Sequence, residues 1–322
     1  MAKTELIFFE RTFPSANMIL IKKKNPILID SGFGSDIAET ERLIESVGVS
    51  PSEILLILNT HSHSDHVGGN HHFQTKYGAE IVAHQWDAEL INSGHPEACT
   101  AEWLDQPVES YKVQGKLGDH YEIKAKGMNL VALHTPGHTQ NHLSYYESKT
   151  KTLISGDLMH RDDVGWINLF REGVTSLQQS LQSLDKISQL KLKRIYPGHG
   201  PMIEKPYEAI DVARARLEKW MSHPEKVAWH ACKRIFSFTL IIKNGLHKQE
   251  LESYLLGCGW FQDFARHAFH TSPHQFISIL IEEMIRSGAG KWDGDRLVAT
   301  VPYHAPHKEW NPEKSKPRHW YA

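Results

Sequence analysis

Cysteine is scarce in this chain. Cys99, Cys232 and Cys258 are its three cysteines, set far apart along 322 residues. An odd, widely spaced set excludes a disulfide framework and a Cys-rich zinc site; it suits reduced thiols in a cytoplasm. Long apolar runs are also missing. None reaches the roughly 18 residues that a membrane span requires, so no membrane association is expected. Neither sign of charge dominates: 36 Lys and Arg stand against 38 Asp and Glu, for a net charge of −2. That balance argues neither for nor against an acidic partner. The start, Met1-Ala2-Lys3-Thr4-Glu5, runs into alternating residues at Leu6 to Phe9. It shows no apolar run with a small-residue cleavage site, so a cytoplasmic location is expected. Hydrophobic content of 40% suffices for a buried core, and the length suits two domains or one large domain with an appendage.

Histidine, by contrast, is abundant, at 22 residues. Residues 61–66 read His61-Ser62-His63-Ser64-Asp65-His66, after the apolar run Ile54 to Leu58 and before Gly68-Gly69. His61 and His63 are two apart on an irregular segment, so both rings can reach one ion. Asp65 and His66 lie on the next bend and can reach a second. Imidazole and carboxylate suit Zn²⁺ and similar first-row ions. A His-rich polar loop is the bland alternative, and the downstream sequence weighs against it. Thr135-Pro136-Gly137-His138-Thr139, Ser155-Gly156-Asp157 and Tyr196-Pro197-Gly198-His199-Gly200 each follow a short strand-like run. Each sets a ligand type beside a Gly that permits a tight turn.

Together these four motifs resemble the metallo-β-lactamase superfamily over roughly residues 5–205. The His134-Thr135-Pro136-Gly137-His138-Thr139 stretch looks most like the glyoxalase II-type hydrolases. The resemblance implies an α/β fold, an αββα sandwich in which two stacked sheets lie between outer helices. It implies that His61, His63 and His138 hold one ion, that Asp65, His66 and His199 hold the other, and that Asp157 bridges both. Retention of His63, where flavin-linked di-iron relatives carry Glu, is the pattern of hydrolases. The implied cofactor is two divalent metal ions, zinc by default, with iron and manganese admitted. His134 and His142 flank His138 at four residues on either side and are the alternatives to it; Gly137 beside His138 favours the latter, leaving His142 as a group behind the ligands or beside the substrate and His134 as a strand-end residue. His71, His72 and His84 are expected to be partly exposed residues of the following helix and strand.

Along the chain, Met18 to Ile21 and Pro26 to Ile29 flank a tri-lysine hairpin tip, and helices are predicted near Ile37 to Val47 and over Val67 to Tyr77, before a strand at Glu80 to Ala83. Residues 93–116 break the pattern as an insertion that is either a lid or a surface elaboration. Leu177, Leu181, Leu184, Ile187 and Leu190 mark an amphipathic helix. The catalytic unit is placed at 1–206, a connecting helix at 207–222, a second unit at 223–302 and a tail at 303–322. Three helices, near Val227 to Phe238, His247 to Leu256 and Pro273 to Ser287, precede a hairpin signal at Asp293-Gly294. This order resembles a winged helix, and the whole layout is similar to β-lactamase-like endoribonucleases. The unit's balanced charge disfavours nucleic acid, because DNA-gripping modules show a basic face. The tail reads as too polar and breaker-rich for a core element, with local docking of Trp310 and Trp320 admitted.

Two ions about 3.5–4 Å apart can share a hydroxide that is nucleophilic near neutral pH. The expected function is therefore a dinuclear hydrolase of a small carboxylic ester, thioester or lactone, with Asp65 orienting the nucleophile. The alternative is a phosphodiesterase or endoribonuclease acting on single-stranded RNA. A non-catalytic or mononuclear iron binder is disfavoured by the full set of seven ligand types. The expected partner is a small-molecule substrate, with a homodimer left open. In the loop after Asp157, Arg161 or Arg171 could bind a substrate anion and Trp166 could form a wall; salt bridges at the surface are the competing role for the arginines.

Overall fold

The computed structural model describes residues 5–125, 128–306, 310 and 315–320. Residues 1–4 and parts of the expected tail lie outside them. Within β2 (Met18–Lys22), Met18 and Leu20 alternate with Ile19 and Ile21, and all four are buried. A strand covered on both faces belongs between two layers. Among the described residues one sheet runs β1 (Glu5–Phe9), β2, β3 (Ile27–Ile29), β4 (Leu56–Leu58), β5 (Glu80–His84), β6 (Gly115–Leu117), antiparallel up to β3 and parallel beyond it. The other runs β11 (Arg194–Pro197), β10 (Thr152–Gly156), β9 (Leu143–Glu147), β8 (Met128–His134), β7 (Tyr121–Ala125). There β10 and β11 are parallel, as the crossover helix Ser176–Ser188 between them requires.

Three cores follow from the alternation. Ile19, Ile21, Ile29 and Leu58 meet Leu130, Leu143, Tyr145 and Ile154 between the sheets. Leu20, Leu28, Ile57 and Ile81 face outward with Ile44 and Phe73 of the helices Ile37–Ser46 and Asn70–Tyr77. Leu153 and Ile195 face the helices Ser176–Ser188 and Pro206–Met221 through Leu184, Ile187, Ile210 and Leu217. The arrangement is the expected αββα sandwich. The helix near 207–222, read from the sequence as a joint, packs as an outer helix of the second sheet.

Two local expectations need correction. The helix predicted over Val67 to Tyr77 is two pieces, Ser64–Val67 and Asn70–Tyr77. The break falls at Gly68 and Gly69, and Gly68 must be glycine because its backbone passes Gly34; a Cβ there would stand 2.3 Å from the Gly34 nitrogen. Trp320 is a core residue, 5% exposed, with its Nε1–H donating to the Val108 carbonyl at 2.9 Å. The docking admitted for this residue is thus into the core itself, from within a tail that is otherwise polar.

The C-terminal region has its own core. Phe236, Leu240, Leu255, Trp260, Phe264, Phe276 and Leu280 are fully buried there. Its helices Pro224–Ile242, Lys248–Gly257, Gly259–Asp263 and Pro273–Arg286 surround a small sheet of β12 (Leu246–His247), β14 (Arg296–Ala299) and β13 (Gly290–Asp293). The short helix at Gly259 was not foreseen. The 93–116 insertion is scaffold on both sides. Trp103 and Leu104 join the C-terminal core, while Val108, Tyr111 and Val113 join the outer core of the first sheet. Trp103 Nε1–H also donates to Asp263 at 2.8 Å.

Candidate metal centre

Strand ends deliver the polar residues. His61 and His63 follow β4, His138 lies between β8 and β9, Asp157 follows β10 and His199 follows β11. His61 Nε2, His63 Nδ1 and His138 Nε2 lie 3.0–3.2 Å from one another. Three ring nitrogens cannot pair by hydrogen bonds in that triangle. The spacing is instead near the roughly 3.3 Å edge of a tetrahedron whose nitrogens stand about 2.0–2.1 Å from one ion. Asp65 Oδ2 is 3.1 Å from His199 Nε2 and 3.9 Å from His66 Nε2. Asp157 lies between the two groups. Its Oδ2 is 3.8 Å from His138 Nε2 and 3.7 Å from His199 Nε2, and its Oδ1 is 3.4 Å from His66 Nε2. His61–His63–His138, His61–His66–Asp157 and Asp65–His66–His199 thus form compact ligand groups.

Outer contacts set which nitrogen faces inward. Asp30 accepts from Thr60 Oγ1 at 2.7 Å and from His66 Nδ1 at 2.8 Å. With its proton given to Asp30, Thr60 Oγ1 can accept from His61 Nδ1 at 3.1 Å. His138 Nδ1 donates to the Trp166 carbonyl at 2.6 Å. In all three rings Nε2 then faces the centre, and in His61 and His138, which burial keeps neutral, it is a lone pair, the usual device for orienting metal-binding imidazoles. Burial keeps His61 well below its ordinary pKa and His63 at about 3, with neighbouring imidazoles adding to the effect, so both rings are neutral as ligands must be. Burial opposes charge on His66, yet Asp65, Asp30 and Asp157 hold its pKa well above the ordinary value. Three carboxylates gathered in a buried place call for positive charge. His66 Nε2 has no hydrogen-bond partner among the described residues. Convergent lone pairs, buried carboxylates and this orphaned nitrogen all fit divalent cations.

His142 is not at this centre. It is fully buried, with Nδ1 2.9 Å from Thr135 Oγ1 and Nε2 accepting from the Asp157 N–H at 3.1 Å. It therefore fixes the Asp157 backbone. His134 bonds the Gln140 carbonyl and stacks on His84. His71 and His72 are half-buried, but His84 is only 3% exposed, against the expectation of a partly exposed ring. The turn into the Gln85–Ser93 helix encloses it, as its Nδ1 accepts from the Trp86 N–H.

A cavity of about 340 Å³ opens on the centre. Asp65, Asp157 and His199 form its floor, and Trp166 stacks on His63 at 5.0 Å and 15°. Trp166 is thus the wall the sequence suggested. Arg161 pairs with Asp162 and Arg171 with Glu97, so both arginines are salt-bridge partners and neither lines this cavity. The far wall comes from the Pro224–Ile242 helix, through His230, Ile235, Phe238 and Ile241, and from Leu104 of the insertion. Sequence reasoning missed Asp30, His160 and Phe13. His160 Nε2 is 3.4 Å from Asp157 Oδ1, and Phe13 stacks on His199 at 4.9 Å and 19°. Asp30 had a readable signal: like the ligands, it follows a buried strand and precedes Gly32. Phe13 had none.

The family described as the metallo-beta-lactamase superfamily matches residues 11–199. A beta-lactamase-like protein 2 homolog of Caenorhabditis elegans is 32% identical over 189 residues, covering 58% of this chain and 55% of the relative. The hydroxyacylglutathione hydrolase GloC of Haemophilus influenzae is 26% identical over 174 residues, covering 52% and 77%. The chain thus spans about half the length of the first relative. A metallo-beta-lactamase family protein of Thermus thermophilus superposes with a TM-score of 0.55 at 22% identity, covering 93% of this chain and 99% of that one. Among the described residues no helix is long and apolar enough to cross a membrane.

Proposed function

The chain belongs to the metallo-β-lactamase superfamily, and on that premise we propose that it is a dinuclear metal-dependent hydrolase of a small carboxylic ester, thioester or lactone. His61, His63 and His138 would hold one ion, Asp65, His66 and His199 the second, with Asp157 between them. Zinc suits these nitrogen and oxygen donors best, with iron or manganese as the alternatives. When bound, such ions supply acidified water and a Lewis-acid contact for the substrate oxygen. Asp65 lines the cavity floor and orients the attacking water. Trp166 and Phe13 hold the acyl group against the floor and exclude bulk water. His160 steadies Asp157 from the cavity side.

One observation carries the choice of substrate. The cavity is small and mostly walled by apolar groups: Phe13, Leu104, Trp166, Ile235, Phe238 and Ile241. It suits an acyl chain or ring better than a polyanion. The cations on its wall are already engaged, Lys233 with Glu283 at 2.9 Å and Arg234 with Asp163. The name of the hydroxyacylglutathione hydrolase relative supports acyl chemistry as well. We read the helix–strand–helix–helix–helix–hairpin order of the C-terminal unit as winged-helix-like with one added short helix, serving as a cavity wall and not as a nucleic-acid module.

The test is an activity screen of metal-reconstituted protein on aryl esters, acyl thioesters, lactones, bis-aryl phosphodiesters and single-stranded RNA. Turnover of a carboxyl substrate, lost in Asp65→Ala, is expected. Submicromolar RNA binding with a steep salt dependence, together with metal-dependent RNA cleavage, would overturn the reading in favour of an endoribonuclease.

A further inference from the structure

A second cavity, of about 430 Å³, lies on the other side of the metal-binding loops and shares no lining residue with the first. Its wall includes Ser62, which stands between His61 and His63, and Thr139, which follows His138. Asp87 is at its heart. This residue is 2% exposed, and its Oδ1 accepts from Ser62 Oγ at 2.6 Å and from Asn141 Nδ2. Its Oδ2 is buried with no partner among the described residues, and so is Thr139 Oγ1. Buried polar atoms without partners are rare, and each calls for an explanation.

Charge narrows what could satisfy them. Asp87, Glu97 and Glu172 line the cavity, and the one cation beside them, Arg171, is spent on Glu97 and on the face of Trp103, 4.7 Å from its centroid. Glu172 accepts from the Gln140 N–H at 3.0 Å. Burial pushes Asp87 up to about 7, with the Glu172 charge adding to it, and pushes Glu172 up to about 7 as well. No cation offsets the Asp87 charge, and Arg171 offsets that of Glu172 only in part. The rest of the lining is not that of an inorganic ion site. Leu90 contributes apolar surface, while Trp86 and Phe170, 45% and 36% exposed, offer aromatic faces at the opening. Among the described residues, the compact groups of metal-binding side chains all lie at the centre already described.

We infer that this second cavity is a binding site for a small organic cation, an alkylammonium whose N–H groups bond Asp87 and Thr139 and whose carbon chain lies on Trp86 and Phe170. An ammonium supplies donors to acceptors that have none, and aromatic faces attract cations. The occupant would sit one residue from His61, His63 and His138. Asp87 already ties the first ligand loop, through Ser62, to the second, through Asn141. A bound amine would therefore rest against both ligand-bearing loops without entering the substrate cavity.

The test uses the full-length, metal-loaded protein and n-butylammonium chloride, with n-butanol, Ca²⁺ and Mg²⁺ as comparators. Calorimetry should give saturable binding of n-butylammonium and none of n-butanol. Trp86→Phe should abolish the accompanying fluorescence change. Affinity should fall at least about tenfold in Asp87→Asn and in Glu172→Gln. Glu172 is only half-buried, so its variant keeps the test alive if Asp87→Asn fails to fold. The inference fails if n-butylammonium gives no saturable heat, if n-butanol binds equally well, if Glu172→Gln leaves affinity unchanged, or if Ca²⁺ or Mg²⁺ displaces the amine. These readouts do not depend on turnover, so they stand apart from the identity of the substrate.

Discussion

His66 Nδ1 donates to Asp30 Oδ2 at 2.8 Å, and both side chains are almost wholly buried. Asp30 is not a ligand type in contact with the centre, yet it decides which nitrogen of His66 faces inward. It also accepts from the Thr60 N–H, through Oδ1 at 2.8 Å, and from the Thr60 hydroxyl, so it ties the end of β3 to the first ligand loop. Asn at this position can present an amide where His66 needs an acceptor. Asp30→Asn should lower affinity for the ion held by Asp65, His66 and His199 by about 10- to 100-fold. Competition with a chelator measures it. Wild-type affinity in that variant would mean that His66 is aligned without Asp30.

The proposed centre predicts a metal count. Purified, reconstituted protein should carry about two equivalents of transition metal, the number that hydrolysis by a bridged pair of ions requires. Asp157→Ala, which removes the carboxylate between both groups, should lose most of the metal, as should His61→Ala. Elemental analysis reads the count, and absorption of a cobalt-substituted sample reads the ligand field. One tightly held ion, with His66 and His199 outside its shell, would sink the dinuclear assignment.

The residues at the centre were legible because each motif couples a ligand type to a strand end and a Gly, all within a few positions. His138 could be preferred over His142 on that local pattern alone. That His142 stands behind the ligands or beside the substrate was legible, but the atom it supports was not. It supports Asp157 through the backbone N–H, a contact made only when β9 and β10 pair. Asp30 carried a local signal, a buried strand before it and Gly32 after it, but its partners Thr60 and His66 reach it only through the parallel pairing of β3 with β4. The two sheets were readable from alternation in strands such as β2. The cavity wall was not, since periodicity in the Pro224–Ile242 helix shows an apolar face without showing what it covers. Residues 93–116 read as a lid or a surface elaboration because breakers dominate them, while Trp103 and Tyr111 hold them in two cores.

Gly198 should tolerate no side chain. A Cβ there would lie 2.1 Å from Asp157 Oδ1 and 2.9 Å from His66 Cε1. Neither neighbour can yield, because both are buried and fixed by further bonds. Gly198→Ala should therefore displace Asp157 and reduce catalysis by about 100-fold or more, since small misplacements at a reacting centre are costly. The fold should survive, because β11 ends at Pro197. Circular dichroism alongside activity and metal content separates the two effects. An active, metal-replete Gly198→Ala protein would contradict this account of the loop.

Acid stability should depend on Glu41, far from the centre. Its Oε1 receives Tyr77 Oη at 2.6 Å, His72 Nε2 at 2.8 Å and Lys76 Nζ at 3.0 Å, joining the helices Ile37–Ser46 and Asn70–Tyr77. Partial burial works against the charge, and the three donors outweigh it, holding the carboxyl at about 2 against an ordinary 4.5. A carboxyl depressed in the folded state binds its proton more readily once unfolded. The stability it contributes is thus complete above about pH 4.5 and is lost as pH falls through about 2. Other buried carboxylates respond to acid too, so the informative quantity is the difference between wild type and Glu41→Gln. Gln keeps the shape of the side chain but not its charge. Urea midpoints across that window should show wild type ahead at the upper end, with the gap closing toward the lower end. A gap that stays constant throughout would show that Glu41 holds the two helices by shape and neutral hydrogen bonds, with no contribution from its charge.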